Sequence, residues 1–155
     1  MSDISKRKCI TYYSKRPAYV DSLSKTQVEK MTNSHGKQVC VDYSHCDFGE
    51  VGRHGAWMLN LMQHAVESAG VREVHAHVEE FDGTLSPTGF AAVVLLDESH
   101  VSAHCYYDKG ILAIDAFTCG DSDPNIIIDI IHNKLVESFG DLKIVSKDEI
   151  LRFRQ

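Results

Sequence analysis

The sequence predicts an α+β fold, a two-layer sandwich in which a mainly antiparallel sheet carries helices packed on one face. Segments with strand character follow one another in the second half of the chain, separated by turns rather than by helices. Two long segments have the apolar spacing of a helix, and they stand before and after this run of strands. Runs of adjacent strands favour antiparallel pairing, with the helices segregated to one side.

Three kinds of pattern predict the strands. Alternation places Val74, Ala76 and Val78 on one face of a half-buried strand, and residues 90–96 form a continuous apolar run. The turn Asp108-Lys109-Gly110 joins two strand-like segments into a hairpin. The predicted strands cover residues 37–43, 71–81, 90–96, 99–107, 111–118 and 142–145.

Terminal signals and apolar spacing predict the helices. The first covers residues 53–69 and has Gly70 as a C-terminal cap. The second follows Asp123 as N-cap, with Pro124 in the first helical position, and ends at Gly140. A short terminal helix is predicted over residues 148–153.

Length, composition and charge define the class of protein. The 155 residues, 43% hydrophobic and 25% charged, predict one globular domain over residues 35–155. Residues 1–34 are predicted to be a polar N-terminal extension with a short helix near residues 25–31. The net charge of −6 argues against a nucleic-acid-binding face.

The chain shows no signal for the membrane or for secretion. No apolar run approaches the ~20 residues that cross a bilayer, and the N-terminus lacks the apolar segment of a signal peptide. The five cysteines show no CxxC spacing. These features predict a reducing, cytoplasmic location without membrane or nucleic-acid partners.

The reactive residues concentrate between Leu96 and Gly120. Ser99 follows Glu98 at a strand start, and a serine hydroxyl there can attack the carbonyl of its own preceding peptide bond. The resulting ester breaks by β-elimination and leaves a pyruvoyl ketone, which condenses with a substrate amine and withdraws electrons as PLP does. This self-cleavage needs a nearby base and a distorted peptide. The alternative is that Ser99 is an ordinary serine at the start of a strand.

Two further residues have a chemical and a structural interpretation. His104 lies five residues after Ser99, and this odd spacing points it to the opposite face of a regular strand. A β-bulge, or a turn position for Ser99, would remove the conflict; otherwise His104 is a core histidine. Cys119, at a strand end before Gly120, can donate a proton to a carbanion or can be a small buried hydrophobe.

A metal site is a second hypothesis for this region. Imidazoles at spacings i, i+2 and i, i+4 on neighbouring strands can gather around an ion, and a cysteine can add a thiolate. No compact ligand motif is present. The residues concerned are His75, His77, His100, His104, Cys105 and Cys119.

The central stretch resembles the prokaryotic-type S-adenosylmethionine decarboxylases, a pyruvoyl-dependent family. Two blocks carry the resemblance: Glu98-Ser99-His100 with His104 at the matching interval, and residues 115–120 followed by Asp121. Residues 38–47 and 86–89 extend it less strongly. The resemblance covers roughly residues 36–139, and the segment before Gly36 has no counterpart in the family.

The resemblance implies a self-processing enzyme. Cleavage would fall between Glu98 and Ser99, and Ser99 would become the covalent pyruvoyl group that forms a Schiff base with the substrate. His104 would assist processing, and Cys119 would protonate the product after CO2 leaves. The product would be the aminopropyl donor of spermidine biosynthesis. The family pairs protomers, so a homodimer is expected, and neither a metal nor PLP is implied.

Four positions depart from the family pattern. Gln38 replaces a histidine, and Ala91 replaces a serine that helps processing. Leu85 and Tyr106 stand where Phe and Trp tend to surround the adenine; with Glu98, they are the predicted substrate-binding residues. These departures keep two alternatives open: a pyruvoyl-dependent ornithine or arginine decarboxylase, and an uncleaved regulatory homologue.

Overall fold

Six antiparallel strands form one sheet in the computed structural model, which describes residues 36–49 and 54–153. The strand order is β2-β3-β4-β5-β1-β6, and every neighbouring pair is antiparallel. The strands are β1 (Lys37–Ser44), β2 (Glu73–Phe81), β3 (Gly89–Leu96), β4 (Ser99–Tyr106), β5 (Ile111–Thr118) and β6 (Lys143–Leu151). The predicted two-layer α+β sandwich is confirmed.

Two helices cover one face of this sheet. They are α1 (His54–Ser68) and α2 (Pro124–Ser138). The Asp123 carboxylate accepts a hydrogen bond from the Asn125 amide, and Pro124 occupies the first turn, as predicted. Gly70 adopts a left-handed conformation just after α1, which supports its predicted role as a cap.

The hydrophobic core lies between the helices and alternate residues of the inner strands. Along β4, for example, Val101, Ala103 and Cys105 are buried while the residues between them are not. The helices contribute apolar side chains from one stripe each. The buried helical residues include Met58, Leu61, Met62, Ala65, Ile127, Ile131 and Leu135.

The opposite face of the sheet has no helix over it among the described residues. Apolar side chains on this open face remain accessible, with Leu95 43%, Tyr106 39% and Ile111 38% exposed. The same face also carries polar groups. Gln38 and Ser102 both donate hydrogen bonds to the Asp115 carboxylate.

The prediction of a short helix over residues 148–153 is wrong, because β6 continues as a strand to Leu151. It pairs with β1 from Lys143 opposite Ser44 to Leu151 opposite Lys37, with one bulge near Val145. Pairing with β1 gives this segment backbone hydrogen bonds along its whole length, whereas an isolated single helical turn is only marginally stable. The predicted helix near residues 25–31 and the extension over residues 1–34 lie outside the described residues.

Candidate active site

The predicted cleavage bond lies in a two-residue turn between β3 and β4. Leu96 pairs directly with Ser99, so that Asp97 and Glu98 alone make the turn. Glu98 has a φ of +66°, in the left-handed region that costs a non-glycine residue roughly 1 kcal/mol or more. The Ser99 hydroxyl donates a hydrogen bond to the Asp97 carbonyl, 3.3 Å away. The peptide that self-cleavage would break is therefore joined to a strained residue.

Cys119 lies against this peptide. It follows β5, and its thiol donates a hydrogen bond to the carbonyl oxygen of Glu98 at 3.3 Å. Burial, and to a smaller degree the charge of Glu98, raise the pKa of the Cys119 thiol. A thiol with a raised pKa stays protonated at neutral pH, which is the form that a proton donor needs.

The turn is also anchored on the side of β2. The Asp97 amide donates to the Arg72 carbonyl at 3.2 Å, and the Arg72 guanidinium lies 3.1 Å from the Asp97 carboxylate. Both side chains are more than half exposed, so the ion pair itself adds little stability. The ion pair matters for geometry, because it fixes the position of Asp97, the residue that precedes Glu98.

The position of Cys119 depends on the turn between β5 and α2. The hydroxyl of buried Thr118 donates to the Ser122 carbonyl at 2.7 Å, and Gly120 adopts a left-handed conformation with φ +72°. Lys37 of β1 then ties Asp123 and Glu149 together through two ion pairs. The thiol is thus held by a hydrogen-bonded turn rather than by a free chain end.

His104 lies on the open face of the sheet, away from the turn. The pairing of β3 with β4 has no register shift, so the bulge that would bring His104 to the Ser99 face is absent. Five residues at ~3.4 Å per residue separate the two Cα atoms by about 17 Å. The described chain therefore does not bring its own His104 to its own Ser99.

The neighbours of His104 define a second part of the site. Ala91 stands directly opposite it on β3, where Cβ atoms lie roughly 5 Å apart. His104 and Tyr106 line a cavity of about 310 Å³ on the open face, near the lower limit of small-molecule pockets. The other lining residues are Asp42, Tyr43, Ile111, Leu112, Ala113 and Val145. A larger cavity between the helices contains no predicted site residue.

The predicted substrate-binding residues are not brought together. Tyr106 lies at the cavity and carries the Lys109 ammonium 5.6 Å from its ring centre. Leu85 lies in the loop between β2 and β3 and is 100% exposed. Glu98 is at the far end of β4, beside Cys119. The described residues of one chain therefore do not form a single pocket that contains all three side chains.

The histidines considered for a metal site are also spread out. His75 and His77 project from the edge strand β2, whereas His100 packs against Phe117 with ring centres 5.7 Å apart. Within residues 36–49 and 54–153, no group of three or more His, Cys, Asp or Glu side chains is placed to hold a metal ion.

Sequence reasoning missed two features of this region. A hairpin turn at Asp97-Glu98 was not predicted because neither residue is the glycine or asparagine that marks such turns. The misassigned end of β6 brings Arg152 to the open face, where its guanidinium lies 5.5 Å from the Phe117 ring centre and donates to Gln38 at 2.5 Å. Four consecutive polar residues, 146–149, interrupt the apolar pattern of β6, so the sequence offered no clear signal for the second feature.

Comparison with known families agrees with this geometry. The family model described as S-adenosylmethionine decarboxylase matches residues 37–146, which is more than half of the chain and includes the turn, Cys119 and His104. The chain therefore belongs to the S-adenosylmethionine decarboxylase family, and the predicted resemblance is confirmed.

Individual relatives give the same result. An S-adenosylmethionine decarboxylase proenzyme from Brevibacillus brevis is 31% identical over 127 residues, 75% of this chain and 92% of the relative. The proenzyme of Bacillus velezensis is 34% identical over 101 residues, 64% of this chain and 75% of the relative. The crystal structure of the Aquifex aeolicus adenosylmethionine decarboxylase superimposes with a TM-score of 0.64 at 25% identity, over 79% of this chain and 93% of that one.

Proposed function

We propose that the chain is a self-processing, pyruvoyl-dependent decarboxylase that converts S-adenosylmethionine into its decarboxylated aminopropyl donor. The observation that carries the proposal is the contact between the Cys119 thiol and the Glu98 carbonyl, in a turn strained at Glu98. A core cysteine or an ordinary strand serine would not need this arrangement. The relatives are described as proenzymes, which agrees with a chain that matures by cleavage.

The turn assists the first step of processing. Attack by the Ser99 hydroxyl on the Glu98 carbonyl carbon places negative charge on the carbonyl oxygen, and the Cys119 thiol already donates to that oxygen. The Ser99 hydroxyl must first leave the Asp97 carbonyl, and that hydrogen bond is long at 3.3 Å. Opening the turn also relieves the left-handed conformation at Glu98.

His104 acts on Ser99 from a second copy of the chain. Its own Ser99 is about 17 Å away along β4, so a homodimer in which the open face of one copy meets the exposed β3–β4 turn of the other is the simplest source of the base. The exposed apolar side chains Leu95, Tyr106 and Ile111 on this face suit such a contact. The same contact would bring Leu85 and Tyr106 of one copy toward Glu98 of the other.

In the mature enzyme, a pyruvoyl group derived from Ser99 supplies an electron sink for the carbon that loses CO2. Cys119 delivers a proton to that carbon, and its raised pKa keeps the proton available. Tyr106 contributes one aromatic wall for the adenine, and the exposed Glu98 carboxylate attracts the sulfonium cation.

The pathway and location follow from this substrate. The product serves spermidine biosynthesis, a cytoplasmic process. In the described residues, neither helix combines the length and the apolar character that a bilayer crossing requires. No observation favours ornithine or arginine as substrate, and the presence of Ser99, His104 and Cys119 argues against an uncleaved regulatory homologue.

Intact mass under denaturing conditions, followed by CO2 release, tests the proposal. We expect the purified chain to yield a fragment that begins at position 99 and carries a ketone that borohydride reduces. CO2 release is expected from S-adenosylmethionine and not from ornithine or arginine, and Ser99→Ala is the matched uncleaved control. A chain that never breaks at Glu98-Ser99, or that releases CO2 only from a basic amino acid, would refute it.

A further inference from the structure

Self-cleavage changes the chemistry of the oxygen that Cys119 contacts. In the uncleaved chain this oxygen belongs to a neutral amide. We propose, on the basis of the function proposed above, that cleavage converts it into part of a carboxylate, the new C-terminus at Glu98, and that this carboxylate holds the Cys119 thiol protonated in the mature enzyme. Maturation would thus create the electron sink and prepare the proton donor in one event.

The balance of the reaction requires this carboxylate. The Ser99 hydroxyl oxygen bonds to the Glu98 carbonyl carbon, the C–N bond breaks, and the amine of Ser99 takes the proton. Removal of the Ser99 Cα proton by a base then breaks the Cβ–O bond. Glu98 leaves as a carboxylate with two oxygens, its original carbonyl oxygen and the former serine oxygen. Water hydrolyses the remaining dehydroalanine to the ketone and ammonia.

The anchored turn keeps the new terminus close to the thiol. Glu98 becomes the last residue of its fragment, and the residue before it, Asp97, is held by its amide and its carboxylate to Arg72. Leu96, one residue further back, remains in β3. A terminus with only one free residue beyond an anchored one cannot move far, so the carboxylate stays near the end of β5.

The described cations on the elements around Cys119 already have partners. Lys37 lies 3.3 Å from Asp123 and 3.5 Å from Glu149, Arg72 is paired with Asp97, and Arg152 lies over the Phe117 ring and donates to Gln38. A new negative charge beside the thiol therefore favours its neutral form. The described titratable or charged groups on the elements around Cys119 are Lys37, Arg72, Asp97, Glu98, His100, Asp121, Asp123, Glu149 and Arg152.

The pH dependence of Cys119 alkylation tests the proposal. The rate of modification by iodoacetamide is measured from pH 6 to 11 on the cleaved chain and on the uncleaved Ser99→Ala chain, and is quantified by mass on the peptide that contains Cys119. We expect the midpoint of the cleaved chain to lie at least one pH unit higher, which makes alkylation below both midpoints about tenfold slower.

Two controls assign the shift to the new terminus. Glu98→Gln removes the side-chain carboxylate from both forms, so the difference between cleaved and uncleaved chains should persist. Borohydride reduction removes the ketone and leaves the carboxylate, so the raised midpoint should remain. Equal midpoints, or a shift that disappears in either control, would overturn the inference while cleavage itself still supports the proposed enzyme. A wild-type chain that never cleaves would overturn both.

Discussion

The two ends of β4 carry different parts of the site and hold them in different ways. At the Ser99 end, short hydrogen-bonded turns fix the peptide proposed to be cleaved against Cys119. At the Tyr106 end, side chains project from a regular strand into a cavity on an open sheet face. The first end brings Ser99, Glu98 and Cys119 together within one chain, whereas the second presents His104 and an aromatic ring on a sheet face that no described helix covers.

This difference shows how a small sheet can separate bond breaking from recognition. A turn can strain one peptide because the strands on both sides determine its ends. A regular sheet face puts no such strain on its backbone, but it presents side chains at fixed spacing to a second surface. A homodimer that joins the two ends across the open faces would then complete the site, and experiments can test each end separately.

The largest effect is expected from mixing two inactive chains. Ser99→Ala cannot cleave, and His104→Ala should cleave roughly 10²- to 10⁴-fold more slowly because it lacks the base. When the two variants are co-expressed, the His104→Ala chain receives an intact His104 from its partner. We therefore expect cleavage of that chain to recover, as measured by intact mass with an affinity tag on one variant.

The same pair contains its own control. If His104 acted within one chain, the mixture would stay uncleaved, because the Ser99→Ala chain has no nucleophile and the other chain has no base. Ser102→Ala, on the same face of β4 and midway along it, should leave cleavage of the single variant within about twofold of the wild type.

Cys119→Ala tests the other end of the strand. Loss of a weak thiol donor to the Glu98 carbonyl should slow cleavage by roughly tenfold, while turnover of the matured enzyme should fall by roughly 10²- to 10⁴-fold because the proton donor is missing. Cleavage is followed by mass, and turnover by CO2 release per cleaved chain. Cys40→Ala, on the open face, is the matched cysteine control and should affect neither rate.

The sign of the pH dependence follows from the raised pKa of the Cys119 thiol. A proton donor works below its pKa, so activity should persist as pH rises past the ordinary thiol range and fall only when Cys119 ionises. Measurement of kcat on cleaved enzyme gives this alkaline limit. A decline that begins below the ordinary pKa of a thiol would contradict the assignment of Cys119 as the donor.

Sequence patterns predicted the elements of this fold better than their connections. A continuous apolar run suffices to predict β3, and helical apolar spacing suffices for both long helices, because burial determines these patterns. The turn at Asp97-Glu98 could not be predicted, because its left-handed residue is imposed by pairing of Leu96 with Ser99 rather than by a glycine. The end of β6 was misassigned for a similar reason, since its partner β1 lies more than 100 residues earlier in the chain.

The residues of the site were predictable as types, but only part of their grouping was. Ser99 and Cys119 lie 20 positions apart, and the register of the predicted hairpin of β4 and β5, in which His100 pairs with Phe117, brings Cys119 beside Glu98. The strand parity that separates His104 from Ser99 was visible in the spacing. Whether a bulge would correct it depended on the pairing register, which the sequence alone does not reveal.

A smaller effect is expected at the recognition end. Tyr106→Trp enlarges the aromatic wall of the cavity, and one better stacking contact is worth about 1 kcal/mol. We therefore expect KM for S-adenosylmethionine to fall by about fivefold with little change in kcat. Tyr106→Leu should raise KM by a similar factor. A change in kcat without a change in KM would place Tyr106 outside substrate binding.

The smallest effect concerns Ala91, which faces His104 from the neighbouring strand. Ala91→Ser introduces a hydroxyl next to His104, on the face where a second copy would present its Ser99. One added hydrogen bond is worth about 1 kcal/mol, so self-cleavage should become roughly three- to fivefold faster in a time course followed by mass. Ala92→Ser, one residue along β3 and facing the core, is the control and should bring no acceleration. If both variants cleave at the wild-type rate, position 91 plays no part in maturation. His104 is then the only residue of this pair that assists cleavage at the Ser99 end of the partner.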